Sequence, residues 1–172
     1  MTIPPKDFIF SKTLPSHGWC FVCGDENPHG IGIKWQAFFR EKTPDAAGHF
    51  AADSVLISSD FQFELAQQGP PGHVHGGASA AVIDEAMGAS VWQSGYQALL
   101  AHYELDYILP VPLQTPVRVV AWVEKIEDRK VYARGQLLLA DGRVAVKGKG
   151  LYLHIPNFFT SHAWMNKPGD FS

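Results

Sequence analysis

Two adjacent carboxylates lie inside a long apolar stretch, and they are the residues of this chain best suited to acid–base chemistry. Asp84 and Glu85 interrupt a run from Ala78 to Trp92 that is otherwise mostly apolar. The run is too long for one strand and apolar almost all round, so it predicts a buried helix starting near Gly77. Neighbouring helix positions point about 100° apart, so one carboxylate can reach water while the other faces apolar side chains. Burying a carboxylate among apolar side chains costs free energy unless the group is paired with a partner or has a catalytic role, and the pKa of such a group tends to be shifted.

The residues just before this helix can supply the second half of a site. His75, Gly76 and Gly77 follow a turn rich in Gly and Pro. The first turn of a helix has backbone N–H groups without helical partners, and the helix dipole there favours developing negative charge. Glycine also lets a substrate carbonyl approach the backbone closely. An oxyanion hole needs these features, so Gly76 and Gly77 are its predicted donors.

The spacing of these groups indicates a dimer. Asp84 is seven residues beyond Gly77, which is about 10 Å along a helix. One Asp84 therefore cannot reach a carbonyl held by the glycines of its own chain. Two antiparallel copies of the helix would place one chain's acid opposite the other chain's glycines, with two sites at the interface.

The rest of the chain predicts an antiparallel sheet. Before the helix the pattern favours three short strands, two of them split by a polar turn at residues 58–60; beyond Gly95, where the helix is expected to stop, the apolar period changes to two. Asp141-Gly142 is a strong hairpin signal. A helix that is apolar all round must be wrapped by the sheet, which gives an α+β fold. The predicted strands are Ile33–Arg40, Gly48–Ala52, Asp60–Leu65, Leu99–Leu109, Val117–Ile126, Val131–Leu139 and Val144–Ile155.

The length of 172 residues predicts one domain spanning residues 1–172. Residues 1–30 are expected to form an N-terminal arm and loop, of which 1–18 are an extended arm or a short helix. Residues 156–172 do not continue the strand pattern. They contain Phe158, Phe159, Trp164 and Phe171, and we expect this aromatic tail to lie across this subunit or a neighbour.

A Cys-x-x-Cys pair lies in the N-terminal loop. Cys20 and Cys23, with His17 and His29 nearby, allow a four-ligand zinc site to be written. A structural zinc site usually has a second clear ligand pair, which this loop lacks. No strand precedes the pair and no helix pattern follows, which disfavours a thioredoxin-like redox pair. The favoured interpretation is a compact loop without metal, in which the cysteines pack as small apolar groups.

Composition excludes several classes of function. The net charge is −3 and basic residues are scattered, so nucleic acid is not an expected partner. No uncharged apolar segment approaches membrane-spanning length, and no secretory signal pattern opens the chain. With only two cysteines, a reducing cytoplasm is the expected compartment. Hydrophobic residues make up 46% and charged residues 18%, a surplus of apolar surface that favours an oligomer.

The string from Gly69 to Asp84 resembles a known family. Its pattern G-P-P-G-x-x-H-G-G-x(6)-D, with a helix wrapped by an antiparallel sheet, resembles the hotdog-fold acyl-CoA thioesterases of the PaaI-like group. The upstream CFVCGDENPHGIGI and the downstream DYILPVPL are similar to the branch that includes mammalian mitochondrial thioesterase superfamily members. The resemblance covers roughly residues 20–155.

This resemblance assigns roles to individual residues. The N–H of Gly76 would bind the thioester oxygen, Asp84 of a facing subunit would act as general base or nucleophile, and His75 would shape the turn. Family members often carry Ser or Thr on the strand after the helix, where Leu100 falls here. His102 is two residues on and would share its strand face. We expect substrate contacts from Leu100, His102 and His73.

The function that the resemblance implies is hydrolysis of an acyl-CoA thioester to a free acid and coenzyme A, by a homodimer or homotetramer. Coenzyme A enters as part of the substrate, and no metal or redox cofactor is expected. Two alternatives stay open: a hotdog dehydratase or hydratase acting on acyl thioesters, and an acyl-CoA-binding protein that does not hydrolyse. Fold alone does not separate them, because function lies in the site.

Overall fold

The computed structural model describes residues 7–158 and shows one long helix packed against an antiparallel sheet. The predicted α+β architecture, its central helix and the four long strands after that helix are confirmed. A short 3-10 helix, Leu65–Gln67, precedes the long one. The elements are β1 Phe10–Thr13, β2 Gln36–Phe39, β3 Val55–Phe61, α1 Gly76–Gln93, β4 Ala98–Tyr107, β5 Val117–Glu127, β6 Lys130–Leu139 and β7 Val144–His154.

Within residues 7–158 the strands form a seven-stranded sheet in the order β1-β2-β3-β5-β6-β7-β4. Every neighbouring pair is antiparallel. Strand β4 follows the helix in sequence but pairs with β7, which places it at one edge of the sheet. Most of its residues are exposed or half-buried. The free edge of β4 therefore leaves backbone and side chains open to a further strand.

Helix α1 lies close to the sheet because facing glycines leave room for it. Gly135 on β6 pairs with Gly148 on β7. A Cβ added at Gly148 would lie 2.5 Å from Cγ2 of Ile83, and one added at Gly135 would lie 2.9 Å from the same atom. These distances are too short for any larger residue unless the Ile83 side chain or the helix moves. Ile83 and Met87 are fully buried at this contact, so the two glycines set the distance between helix and sheet.

Both ends of α1 agree with the sequence signals. His75 caps the N-terminus and Ser94 the C-terminus. Gly95 follows with a φ of +93°, the left-handed conformation that glycine adopts at no steric cost. One broad face of the helix is buried, whereas Ala81, Gly88 and Trp92 on the other side are half-buried or exposed. Within one chain the sheet therefore covers one face of the helix and leaves the other face partly open.

The strands before the helix differ most from their predictions. Residues 48–52 are not a strand: Gly48 has a φ of +85°, and the Asp45 carboxylate accepts the N–H groups of Ala47 and His49 in a turn. Residues 58–60 are not a turn but lie inside β3. Ser59 is tolerated there because its hydroxyl donates to the Lys34 carbonyl at 2.8 Å.

At the N-terminus, residues 10–13 form β1, so the short-helix alternative is wrong and the extended one holds for these residues. The remaining aromatic residues of the predicted tail, at 159–172, lie outside the described residues. Within the described part of the chain, no helix has the length and apolarity needed to cross a membrane.

Candidate active site at the start of the central helix

The first turn of α1 leaves one backbone donor available. The Gly77 N–H donates to Nδ1 of His75 at 2.9 Å, and the Ala78 N–H donates to the His75 carbonyl at 2.9 Å. No hydrogen bond joins the Gly76 N–H to an acceptor among residues 7–158. In this conformation Gly77 is engaged by the cap, so Gly76 is the donor that can bind a substrate oxygen.

The preceding turn holds His75 in place through backbone hydrogen bonds. The His75 N–H donates to the Gln67 carbonyl at 2.8 Å, and the Gly69 N–H donates to the His73 carbonyl at 3.0 Å. A Cβ at Gly69 would lie 2.8 Å from the His75 Cα, so only glycine fits where the two sides of the turn cross. The Gly-Pro-rich segment therefore positions the start of the helix.

Tyr107, at the end of β4, covers the same turn. Its hydroxyl donates to the Gly76 carbonyl at 2.9 Å, and its ring lies beside the Gly76 Cα. Its side chain is still 56% exposed. The sequence analysis missed this residue, although DYILPVPL was part of the family resemblance. The hydrogen bond orients the peptide group that joins Gly76 to Gly77 and leaves the Gly76 N–H open.

Asp84 is half-buried on α1 and is held by Tyr152 of β7. The Tyr152 hydroxyl lies 3.1 Å from Oδ1 of Asp84 and 3.1 Å from the Asp84 carbonyl oxygen, and donates to one of them at a time. Burial raises the pKa of the Asp84 carboxyl, the Tyr152 hydrogen bond lowers it, and the neighbouring Glu85 charge raises it. Burial also raises the pKa of Tyr152 well above its ordinary range, so the phenol stays a donor.

Within one chain the structure does not bring Asp84 and Gly76 together. They lie eight positions apart on one continuous helix, or about 12 Å along its axis. The two carboxylates also diverge as predicted: Asp84 meets Tyr152, and Glu85 meets the cysteine-containing loop. A site that uses both Gly76 and Asp84 therefore needs a second chain.

The prediction that Leu100 and His102 share a strand face is wrong. Leu100 pairs with Tyr152, His102 pairs with Leu151, and the register shifts between them at a bulge. Tyr152 and Leu151 are consecutive on β7 and point to opposite faces. Leu100 thus lies on the helix side, next to the tyrosine that binds Asp84. The His102 side chain is 65% exposed on the other side, 3.6 Å from Glu104.

His73 lies at the tip of the turn before α1. Its Nδ1 is 3.0 Å from the Pro71 carbonyl oxygen, and its backbone bridges to Pro112. These contacts fix the turn locally. A substrate contact by His73 stays a prediction.

Known proteins share this architecture. The family model described as Thioesterase superfamily matches residues 71–146, a range that contains the helix start, Asp84 and the strands β4 to β6. Over residues 71–146 the chain thus matches the thioesterase superfamily. The chain has the hotdog fold. A crystal structure of a thioesterase superfamily protein superposes on 79% of this chain and 60% of its own, with a TM-score of 0.68 and 26% identity.

The chain is also similar to named proteins. The acyl-coenzyme A thioesterase THEM4 of Rattus norvegicus is 42% identical over 103 residues, which are 60% of this chain and 40% of that protein. This chain thus spans less than half the length of that relative. A thioesterase from Streptococcus pneumoniae crystallised with coenzyme A has a TM-score of 0.56 at 13% identity, covering 58% of this chain and 78% of its own. At that identity the likeness is one of fold.

The loop of residues 17–24 brings Cys20, Cys23 and His17 against Glu85 of α1. One ligand atom from each of these four residues lies within 4.8 Å of the others. His29, the second histidine that the sequence offered, is exposed and outside this group. A hydrogen bond from the Cys23 thiol lowers the pKa of Cys20 to about 6, while the same bond and burial raise the pKa of Cys23. Both cysteines pack in or against the hydrophobic core, as the sequence favoured, and their thiols also contact polar groups.

Proposed function

We propose that this protein hydrolyses an acyl-coenzyme A thioester to a free acid and coenzyme A. The observation that carries the proposal is the Gly76 N–H, a backbone donor without a partner among the described residues at the positive end of an 18-residue helix. The carbonyl oxygen of a thioester becomes negative as the carbonyl carbon is attacked, and such a donor stabilises it. The name of the rat relative and the coenzyme A in the pneumococcal structure support the substrate class.

The proposal includes a second copy of the chain. Asp84 lies about 12 Å from the Gly76 of its own chain, so the acid that acts on a carbonyl at Gly76 would be Asp84 of the partner subunit. The edge strand β4 supports such a pairing, because Leu99 is 38%, Tyr103 38% and Ile108 49% exposed on or beside it. Trp92, on the open side of α1, is 41% exposed. These apolar surfaces fit burial in a homodimer, or in a homotetramer built from two dimers.

Asp84 would act on water or on the thioester itself. As general base it takes a proton from water while the water oxygen attacks the carbonyl carbon, and the C–S bond then breaks. The leaving thiolate of coenzyme A takes up that proton, and the acyl group becomes a free acid. As nucleophile, the Asp84 carboxylate would attack the carbonyl carbon, the C–S bond would break with coenzyme A leaving as the thiolate, and water would hydrolyse the resulting anhydride, with the released proton passing to the thiolate. The hydrogen bond from Tyr152 holds the carboxylate in either case, and no redox cofactor enters the scheme.

A second candidate function is acyl-CoA binding without hydrolysis. Leu100 favours it, because this residue lies opposite Tyr152 on the helix side of β4 and has no hydroxyl to place a water. For the compartment we propose a reducing cytoplasm, which the two free thiols of Cys20 and Cys23 support.

Thiol release from short, medium, long and aromatic acyl-CoAs tests these proposals. We expect the wild type to hydrolyse at least one of them, and Asp84→Asn to lower kcat by at least about 100-fold. Asp128→Asn makes the same chemical change at an exposed hairpin position with a φ of 54°, and it should retain full activity.

Circular dichroism and gel filtration of all three proteins establish that they are folded and associated alike. Hydrolysis that survives in Asp84→Asn contradicts the assigned role of the acid. A wild type that is inert, yet whose melting temperature rises with acyl-CoA, favours the binding function. An enoyl-CoA in the panel that gains water without releasing thiol would indicate the hydratase chemistry instead.

A further inference from the structure

Four metal-ligating side chains meet where the loop of residues 17–24 contacts helix α1. Sγ of Cys23 lies 3.2 Å from Nδ1 of His17 and 3.2 Å from Oε1 of Glu85. The same Glu85 oxygen lies 3.7 Å from Sγ of Cys20 and 3.5 Å from Nδ1 of His17. Three of these residues come from one short loop, and the fourth is more than 60 positions away in sequence. The group is therefore created by the fold.

The separations between these atoms match the edges of a zinc tetrahedron. Zinc binds thiolate sulfur at about 2.3 Å and imidazole nitrogen or carboxylate oxygen at about 2.0–2.2 Å, which separates ligand atoms by roughly 3.3–3.8 Å. The four measured contacts span 3.2 to 3.7 Å. All four atoms lie within 4.8 Å of one another, so side-chain rotations of about 1 Å at the ligand atoms would bring them onto one tetrahedron.

We propose that His17, Cys20, Cys23 and Glu85 bind one zinc ion that fastens the N-terminal loop to the central helix. Two thiolates, one imidazole and one carboxylate are all ligands that zinc accepts, and four protein ligands form the closed coordination of a structural site. Each thiol loses its proton to solvent on binding. The ion compensates the negative charge that two thiolates and a carboxylate would otherwise concentrate in this half-buried place.

The loop is already wound as a ligand-bearing turn. The Cys20 N–H donates to the His17 carbonyl at 2.9 Å, the Gly24 N–H donates to the Cys20 carbonyl at 3.0 Å, and the Val22 N–H donates to Sγ of Cys20 at 3.4 Å. A Cβ at Gly24 would overlap the carbonyl oxygens of Gly18 and Cys20. Glycine is thus required for the loop to close, and the closed loop directs both sulfurs to the same point.

The proposed ion would also hold the residue next to the candidate catalytic acid. Glu85 follows Asp84 on α1, and its side chain is 26% exposed at the contact with the loop. Zinc binding would hold this turn of the helix at a position about 100° around the axis from Asp84, which Tyr152 contacts. The site does not depend on the proposed hydrolysis, because its ligands and its test are separate from the reacting groups.

Zinc content of the purified full chain tests the proposal. Protein made without a histidine tag and kept reduced is dialysed against metal-free buffer, and zinc is measured by mass spectrometry. We expect about one zinc per chain. Cobalt added to the metal-free protein should give a thiolate-to-cobalt charge-transfer band and the intense visible bands of tetrahedral coordination.

Variants distinguish this ligand set, which contains Glu85, from the set considered from the sequence, which contained His29. Cys20→Ser should abolish the part of the cobalt charge-transfer band that comes from that sulfur. Loss of a residue that only supports a ligand typically weakens metal binding about tenfold, and Glu85→Gln should weaken zinc binding by more than this. His29→Gln is the matched control and should bind zinc as the wild type does.

Several results would overturn the site. A reduced wild type that retains no zinc and gives no thiolate–cobalt band contradicts it. The site is also contradicted if the purified protein contains a Cys20–Cys23 disulfide and still binds no metal once that disulfide has been reduced. Equal zinc affinity in Glu85→Gln and wild type removes Glu85 from the ligand set. If Cys20→Ser does not fold, the wild-type cobalt spectrum and Glu85→Gln still decide the question.

Discussion

The Tyr152 hydroxyl lies 3.1 Å from Oδ1 of Asp84, which joins the last long strand to the acid on the central helix. Tyr152 is 2% exposed, so its ring cannot move away without opening the core. The acid is in turn half-buried. This contact fixes the direction of the carboxylate. A catalytic acid and a purely structural acid would both need such a contact. Kinetics of the phenylalanine variant separate the two.

Tyr152→Phe should lower kcat by roughly tenfold and leave KM nearly unchanged. A hydrogen bond to a charged group contributes about 1.5–3 kcal/mol, and a barrier raised by about 1.4 kcal/mol slows a reaction tenfold. The ring remains, so the core packing is kept. Tyr132→Phe on the neighbouring strand β6 is the control and should not change kcat. A Tyr152→Phe enzyme with unchanged kcat and lowered stability would assign the hydrogen bond a structural role only.

His75→Ala should destabilise the protein by about 1 kcal/mol, the usual cost of removing a helix N-cap. It also frees the Gly77 N–H from Nδ1 of His75, which lies 2.9 Å away, and loosens the turn that presents Gly76. His75→Asn keeps a side-chain acceptor at the cap position. We expect chemical denaturation to show most of the stability restored in His75→Asn. Equal loss in both variants would mean that the imidazole acts through another contact.

Sequence patterns identify the candidate-site residues that lie on the helix and miss those that reach the helix from the sheet. Asp84, Gly76 and His75 stand out because a carboxylate in an apolar helix and a His-Gly-Gly before it are visible in one segment. Tyr152 and Tyr107 look like ordinary strand residues. Only the pairing of distant strands shows that their hydroxyls meet the helix, and a linear pattern does not contain that register.

Two further differences have local physical causes. One extra residue between Leu100 and His102 reverses the face of every residue on one side of the bulge, and nothing in the alternation of β4 marks it. Glu85 takes the place that the sequence analysis gave to His29, because the fold carries a distant helix position to the loop. The short early strands were misplaced since buried serines imitate a turn.

Gly148→Ala should destabilise the protein by about 1–3 kcal/mol, the range for overpacking a dense core. The new methyl group would lie 2.5 Å from Cγ2 of Ile83 and 3.2 Å from Cδ2 of Leu105. Ile83→Ala alone should also destabilise, by leaving a cavity. The double variant should lose less stability than the sum of the losses in the two single variants. The alanine methyl group at position 148 would partly fill the cavity left at position 83, and the smaller side chain at position 83 would remove the clash. Strict additivity in urea denaturation would show that the methyl group does not meet Ile83.

Stability should fall as the pH is lowered from about 8 to 5, with His154 contributing part of the slope. Its ring lies 5.7 Å from the ring of His49 and 5.4 Å from that of Tyr96. Burial, then the charges of His49 and Arg129, lower its pKa below the ordinary value. The folded state therefore favours neutral His154, so its contribution is complete above about pH 6.5 and is lost as the pH falls through the lower folded-state pKa.

His154→Gln should flatten that dependence, because the variant has no imidazole to protonate in the folded or the unfolded state. Urea denaturation at several pH values gives the free energy of unfolding of each protein. The slope of that free energy against pH is compared between the proteins from about pH 7.5 to 5, a range that brackets the ordinary histidine pKa of about 6.5. His29→Gln removes an exposed histidine and is the matched control. If the slopes of wild type and His154→Gln coincide, the neutral form of His154 does not stabilise the fold, and the acid sensitivity belongs to other groups.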